Sequence, residues 1–518
     1  MKRGLLFTGL FLYGFVANAQ VTWSEQAAEV FYNNCTACHN SNGIAPMSLM
    51  TYDQAVTYAP LIQTYVNGGI MPPWTADTAY QHYAGERVLT QAEKDIILDW
   101  INDGTPEGDT TLAPPPPVYN GDQVLPGTPD LVITAPNYMS KAVSGNDDYV
   151  CFAIPSGLTS NRKVKAFEVI PGNRQTVHHC LVYFDNAGWA VTDTSGNCAG
   201  PVTATLMGGY TPGSTPIIFP STADFSTGME IGAGAEIVLA MHYPAGSYGT
   251  WDQTKVNFYF YDEPVNNFRT VSCEPIIEDW SFTIAANTFD SVHVANAPTP
   301  DDYTMLSVFP HMHLIGDYIE SWGITPSTDT LKFARIPLWD FDWQDFYWFN
   351  YMKHIPSGTV IHGKGKWNNT VSNPHNPNNP PQDISAGLNT TDEMFLIYYH
   401  YMLYQTGDEL LNVDSLNGEF LALDEMIDEE HGISAYPNPF DNYTSIHYQL
   451  DLPSYVSIFI YDVQGRLVKK LVQVQQMAGN HNILWDGKAA SGKEVQNGIY
   501  VYSVMINGKQ YSGKLIKR

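Results

Sequence analysis

Ala235-Glu-Ile-Val-Leu-Ala-Met-His242 is a short apolar run that closes on a histidine, and it sets the class of the fold around it. Lys163-Val-Lys-Ala-Phe-Glu-Val-Ile170 and Val256-Asn-Phe-Tyr-Phe-Tyr261 repeat the pattern, with Gly and Pro between the runs. Short, alternating, β-branched and aromatic segments punctuated in this way are β-sandwich composition. Read outward, this region carries six donor side chains in the order His178-His179, His242, His311-Met-His313, Met394. Imidazole suits copper, zinc, iron or nickel, while a thioether adds little unless the metal can be Cu(I). A Met in a His site therefore points to copper cycling between Cu(I) and Cu(II). His311 and His313 are two apart and would face the same way on a strand. His178 and His179 are adjacent, so a shared metal needs a bulge or strand end there. His242 alone reads more often as a satisfied interior histidine, and only its Met-His-Tyr-Pro setting raises it. His293, His354, His362, His375 and His400 match no ligand position and read as surface or structural.

N-terminal to the strands, Pro114–Pro117 and the Gly/Pro-rich stretch after it read as a semi-rigid linker over 113–130. Before the linker, Glu25–Tyr32, Tyr52–Asn67 and Thr90–Asn102 have helical spacing, with Thr90 as an N-cap ahead of Glu93. Within that stretch stands Cys35-Thr-Ala-Cys38-His39, the C-x-x-C-H attachment signature of c-type haem. Two thioethers hold such a haem and the histidine is its proximal ligand. A zinc site would need further Cys or His partners at tight spacing, and none follows. Met71 in Gly-Gly-Ile-Met-Pro-Pro-Trp is the expected distal ligand, with Met47 and His82 as alternatives. Residues 20–112 are thus expected to form an all-α cytochrome c domain. Lys2-Arg3, the apolar Leu5–Val16 and Ala17-Asn-Ala19 read as an export signal over 1–19.

The chain of 518 residues carries a net charge of −28, which argues against nucleic acid as a partner. The excess is uneven, since from Ser434 onward Lys and Arg outnumber Asp and Glu by nine to five. Outside the haem motif there are four cysteines, Cys151, Cys180, Cys198 and Cys273, enough for two disulfides with three possible connectivities. Cys180 neighbours His179, but on a strand its side chain would take the opposite face.

The words Gln175-Thr-Val-His-His-Cys180, Ala240-Met-His-Tyr-Pro244, Phe309-Pro-His-Met-His-Leu-Ile-Gly316 and Thr391-Asp-Glu-Met-Phe-Leu-Ile-Tyr-Tyr399 occur in that order. Together they resemble the copper type II, ascorbate-dependent monooxygenases, the family of peptidylglycine and dopamine β-hydroxylating enzymes. The resemblance implies two jelly-roll-like β-sandwiches, 131–275 and 276–410. It assigns His178, His179 and His242 to an electron-supplying copper, and His311, His313 and Met394 to an oxygen-binding copper. It also implies the disulfides Cys151–Cys273 and Cys180–Cys198. The implied reaction takes O2 and an external reductant, ascorbate or a redox protein, and inserts one oxygen atom into a C–H bond. The peptide-processing members clamp a carboxylate with an Arg two before His-x-His and an Asn two after the Met. Here those positions hold Phe309 and Leu396, which cannot replace a bidentate anchor. Tyr398 matches the substrate-side tyrosine, so a small, less polar organic substrate is expected.

Beyond a polar linker, 411–433, the segment 434–518 has strands Thr444–Leu450, Val456–Tyr461 and Gly498–Met505, a Val463-Gln-Gly-Arg turn and a basic end, Gly513-Lys-Leu-Ile-Lys-Arg518. With Tyr436-Pro-Asn-Pro-Phe440 these resemble the immunoglobulin-like sorting domain of the type IX secretion system of gliding and oral Bacteroidetes. The resemblance implies the type IX secretion machinery as a partner and a secreted or cell-surface location. The whole reads as a multidomain, exported oxygenase holding two copper ions and one covalently attached haem c, the haem serving as electron donor to copper. A copper-binding or electron-transfer protein without oxygen insertion is the rival reading. A surface-attached binding module is a third.

Overall fold

A computed structural model describes the chain except residues 1–19, 42, 118, 120–122, 199, 202, 223, 418–432, 437, 439, 441, 451, 463–465, 491, 507–508 and 518. The export signal at 1–19, most of the linker 411–433 and the turn beginning at Val463 therefore lie outside the described residues. The rest divides into two units. The described residues of Met1–Trp74 and Arg87–Asp122 form one, and those of Thr75–Glu86 with Gln123–Arg518 form the other.

The smaller unit has helices at Ala28–Asn34, Tyr52–Asn67 and Gln91–Asn102, the first entered through a wider turn at Trp23–Ala27. Thr51 with Gln54 and Thr90 with Glu93 make reciprocal capping boxes, where losing the cap residue costs about 1 kcal/mol. Trp23, Phe31 and Trp100 form its aromatic centre, with Trp23 5.2 Å from Phe31 and 5.4 Å from Trp100 between ring centroids. The expected all-α cytochrome domain over 20–112 is corrected by the small share of helix in the structure. Among the described residues strands dominate, at 43% of the structure against 10% for helix. Gly68, Gly69, Pro72 and Pro73 stop the second helix. The residues after them, Thr75–Glu86, belong to the strand-rich unit, where Tyr83 bridges to Phe349 and donates to Phe333 O at 2.9 Å.

In the larger unit, a five-stranded sheet runs Asp193–Gly196, Asp148–Pro155, Glu236–Tyr243, His179–Asp185, Thr205–Tyr210. A second sheet runs Leu131–Thr134, Lys255–Phe260, Arg162–Ile170, Ser226–Ile231, Phe268–Thr270. Glu236–Tyr243 is central and covered on both faces, which explains its unbroken apolar run. Ile237, Leu239, Met241 and Tyr243 enter the core shared by the two sheets. Val238 and Ala240 face the other way beside Cys151 and Cys198, and His242 continues that row. Residues 123–130, read as linker, are bound to this fold: Leu125 is buried on Ala166, Ile218 and Tyr259, and Glu168 accepts its N–H.

The following region pairs two four-stranded sheets. One orders Ser272–Glu278, Leu396–Leu403, Tyr303–His311, Tyr347–Ile355, and the other Thr288–Ala295, Val360–Asn369, Gly316–Ile324, Thr330–Ile336. A third pair of sheets, Ser434–Tyr436 through Lys509–Lys517, closes on Trp485, Tyr502, Ile458 and Val504 in an immunoglobulin-like arrangement. No helix among the described residues is long and apolar enough to cross a membrane.

The disulfide pairing differs from expectation. Cys151 joins Cys198, with Cα atoms 5.9 Å apart, while Cys180 and Cys273 are buried free thiols. Strand parity is the cause. Cys180 points into the core between the sheets, where Cys273 also lies, whereas Cys151 and Cys198 occupy the opposite face.

Candidate metal and substrate site

Register brings the first ligand set together. His242 is directly opposite Tyr149 on one neighbouring strand and His179 on the other. The strand carrying His179 begins at that residue, so His178 precedes it, its N–H donating to His242 O at 3.0 Å. Its ring is thereby free to turn to the same side as its neighbour. His178 Nδ1 lies 3.2 Å from His179 Nδ1, which lies 3.3 Å from His242 Nδ1. The three form a compact donor group. Two imidazole nitrogens bound tetrahedrally at 2.0–2.1 Å to one metal stand about 3.3 Å apart. The spacing therefore fits a first-row metal held by three Nδ1 atoms. His178 Nε2 is buried without a hydrogen-bond partner and its ring stacks on Phe341, as suits a ring oriented by its Nδ1 side.

The second set forms where two strands of the next sheet lie in register. Phe309 is opposite Tyr398 and His311 opposite Leu396, with Met394 two residues before Leu396. His311 ends its strand and His313 lies just past it, the two rings 5.2 Å apart and nearly perpendicular. Gln344 Oε1 accepts from His311 Nδ1 at 2.6 Å, and Asp392 O from His313 Nδ1 at 3.2 Å. Both bonds fix the Nδ1–H tautomer and leave Nε2 as the open donor. Glu393 is fully buried and its carboxylate accepts N–H groups of His313 (3.1 Å) and Ile315 (2.8 Å) and Trp367 Nε1–H (2.8 Å). Burial pushes Glu393 up to about 7, against those bonds.

The two sets lie side by side. His179 and His311 are 6.2 Å apart between ring centroids, and His178 and His313 both contact Phe341. His179, His311, Met394, Phe309, Leu396 and Tyr398 share the wall of one cavity of about 100 Å³. Its remaining lining includes Leu181, Ala240, Phe346, Leu388 and Trp280, and no charged side chain. Gly209 also lines it, and a Cβ there would sit 2.4 Å from Cys180 O. Burial lowers the basicity of all five histidines, His311 to about 4. They are neutral near pH 7, the form that binds metal. Asp147, which burial alone would raise, is held well below the usual carboxylate range by His242 and Thr390. Burial keeps the Tyr398 phenol protonated.

Asp147, Tyr149, Phe341, Gln344, Thr390 and Glu393 support the ligands and were not singled out from sequence. Asp147 has the weakest signal, since it meets Thr390 across 243 residues. His400 is a core residue, its ring nitrogens held by Ser307 and Met207 O. His293 and His362 meet on an outer sheet, 3.1 Å apart.

In the smaller unit, Cys35–His39 continues the first helix as one turn, with His39 N–H donating to Cys35 O at 2.9 Å. His39 Nδ1 is 3.1 Å from Met47 O, which leaves Nε2 as the ring nitrogen an iron could take. Burial, with Cys38 and Glu93 adding to it, pushes the Cys35 thiol up to about 12. Met71 follows the second helix, its N–H donating to Tyr65 O at 3.3 Å, and no described contact joins it to His39. His82 lies on the segment of the larger unit, exposed beside Glu86.

Residues 439–510 match the FlgD Ig-like domain family. Among curated proteins none matches this chain. Solved structures with local likeness include PorZ, a surface component of the type-IX secretion system of Porphyromonas gingivalis, 21% identical over 24% of this chain and 15% of that one, TM-score 0.14. Latent PorU from Porphyromonas gingivalis is 11% identical over 72% and 34%, TM-score 0.15. The Pseudomonas fluorescens glycosylase AlkC is 18% identical over 20% and 34%, TM-score 0.14. The chain spans between 15% and 34% of the length of these proteins. Likeness at such TM-scores carries no argument about fold or function.

Proposed function

We propose that this chain is an exported copper-dependent monooxygenase that places one oxygen atom of O2 into a C–H bond of a small, uncharged organic substrate. The observation that carries this reading is the convergence of His179, His311, Met394, Phe309 and Tyr398 on one apolar cavity. Bound to the two donor sets, copper would supply one-electron redox chemistry and a binding position for dioxygen. The chain's own part is positional. His178, His179 and His242 present three Nδ1 atoms, His311 and His313 keep Nε2 open, and Met394 shares a cavity wall with His311. A Met among the donors favours Cu(I) over zinc. Phe309, Phe346, Leu388 and Leu396 line the cavity with apolar surface that excludes water and disfavours a carboxylate. The protonated Tyr398 hydroxyl is a donor for a polar group on the substrate.

Cys35, Cys38 and His39 would hold a covalent haem that passes single electrons on from ascorbate or a redox protein. The basic end and the FlgD Ig-like match over 439–510 support a secretion-sorting role for the tail and a surface or secreted location. Deleting 434–518 should then leave metal binding intact and trap the protein in the periplasm.

The test is metal analysis with isotopic oxygen. Native chain should carry two coppers and one iron, and candidate substrates should gain one ¹⁸O atom from ¹⁸O₂. M394A should lose one copper and all oxygen insertion, with His178, His179 and His242 still loaded. Zinc in both sets under native expression overturns the reading. Copper in both sets without oxygen transfer favours an electron-transfer protein instead.

A further inference from the structure

Asp147 is a buried carboxylate that touches His242 of the first set and Thr390, on the segment that leads to Met394 of the second. Its Oδ2 stands 3.2 Å from His242 Nε2 and accepts the Thr390 N–H at 2.7 Å together with the Thr390 hydroxyl. Its Oδ1 accepts the Ala245 N–H at 2.7 Å. Thr390 opens the segment that carries Met394 and supports His313. Asp392 O holds His313 Nδ1, Glu393 holds the backbone of His313 and Ile315, and Met394 follows. The side chain of His242 is thus connected to His313 and Met394 through Asp147 and Thr390, and the side chains of His242 and Asp147 are at most 2% exposed.

Given the two-set reading above, on which this rests, we propose that Asp147 couples the sets. A cation taken up by His178, His179 and His242 tightens the His311–His313–Met394 set, and the reverse.

The physical basis is a shared acceptor. A cation on His242 Nδ1 withdraws electron density from the ring and makes Nε2–H a stronger donor to Oδ2. The same oxygen holds both donors of Thr390, so its position fixes the start of the 390–394 segment. A neutral, cation-free His242 pulls less, and the segment gains freedom that the second set must lose on binding. Coupling of this kind is reciprocal and falls in the range of about 5–150-fold in affinity. Asp147 acts through His242 and Thr390, so it is a positioning residue.

The test uses the full chain stripped of metal and titrated anaerobically with Cu(I) against a chromophoric chelator. X-ray absorption reports sulfur scattering from Met394, which identifies filling of the second set apart from the first. In the native chain the two sets should fill together. In H178A, with the first set disabled, Cu(I) affinity at the sulfur-containing set should drop about tenfold, within the range expected for coupled sites. T390V deletes the hydroxyl donor to Asp147 and touches no ligand side chain. It should bind at both sets while showing a smaller dependence of the second on the first. D147N should remove that dependence, and T390V keeps the test decisive where D147N fails to fold. Equal affinity of the second set in native chain and H178A overturns the coupling and leaves the two-set reading standing. Undiminished dependence in T390V also overturns it. No Cu(I) uptake at either set overturns both.

Discussion

Tyr149 lies flat on His242, with ring centroids 4.2 Å apart and planes 5° apart. The pair sits in direct register across neighbouring strands, so the phenol ring covers one face of the imidazole proposed as a ligand. Y149F keeps the stack and should leave metal retention unchanged. Y149A should lower stability by about 3–5 kcal/mol, as other large aromatic truncations do. It should also weaken metal retention about 10–100-fold, the usual effect of removing a group that orients a ligand. Denaturant unfolding and metal content after dialysis read the two effects. Unchanged retention in Y149A would show that the stack is packing alone.

The disulfide makes a second prediction. Peptide mapping under non-reducing conditions should recover Cys151 linked to Cys198, with Cys180 and Cys273 alkylated only after unfolding. The bridge closes a span of 47 residues, for which chain entropy gives about 4 kcal/mol of stabilisation. C198S should lose a similar amount, and C273S should leave the bridge intact. A Cys151–Cys273 peptide would refute the pairing.

Acid sensitivity should reside in part at Arg269 and Asp408. The guanidinium makes two 2.7 Å bonds to the carboxylate, and Thr304 and Gln405 donate to it as well. Burial would raise Asp408, but these partners hold it below its ordinary value. A carboxylate depressed on folding contributes stability that is complete above its unfolded pKa, about 3.9. That stability is lost as pH falls through the lower folded value. D408N should cost about 3–5 kcal/mol at pH 7, because it leaves Arg269 buried without its counter-charge. It should also flatten the fall in urea midpoint between pH 4 and pH 2. An acid limb as steep as that of the native chain would exclude this pair as its source.

The haem motif is checked independently of copper. C35A and C38A should abolish peroxidase staining of the denatured chain on a gel while copper content stays at two. In stopped flow, haem oxidation should keep pace with product formation. H39A should slow turnover, with ascorbate restoring part of it. Haem that stays reduced while product accumulates removes the donor role.

The five clustered histidines and Met394 could be picked out in the sequence because each sits in a distinctive local word. Their supports were not, because hydrogen bonds such as Asp147 to Thr390 join residues with no sequence relation. The strands at 163–170, 235–242 and 256–261 announced themselves through alternation and apolar run length. The all-α cytochrome domain was over-read from three helical stretches, since the aromatic segment Thr75–Glu86 has no periodicity to reveal that it belongs with strands. The cysteine pairing failed although parity was readable. Cys180 was already opposite His179, but nothing local put Cys151 and Cys198 on the histidine face.

Because Thr75–Glu86 belongs to the strand-rich unit while residues on both sides of it do not, no single boundary divides the gene into two independent pieces. Removing everything before Gln123 would also strip Tyr83 from Phe349 and Asp77 from Arg335. An expression design for the strand-rich unit must graft this twelve-residue strap back, and a homologue lacking the segment before Gln123 should either retain its equivalent or cover Phe349 and Arg335 another way.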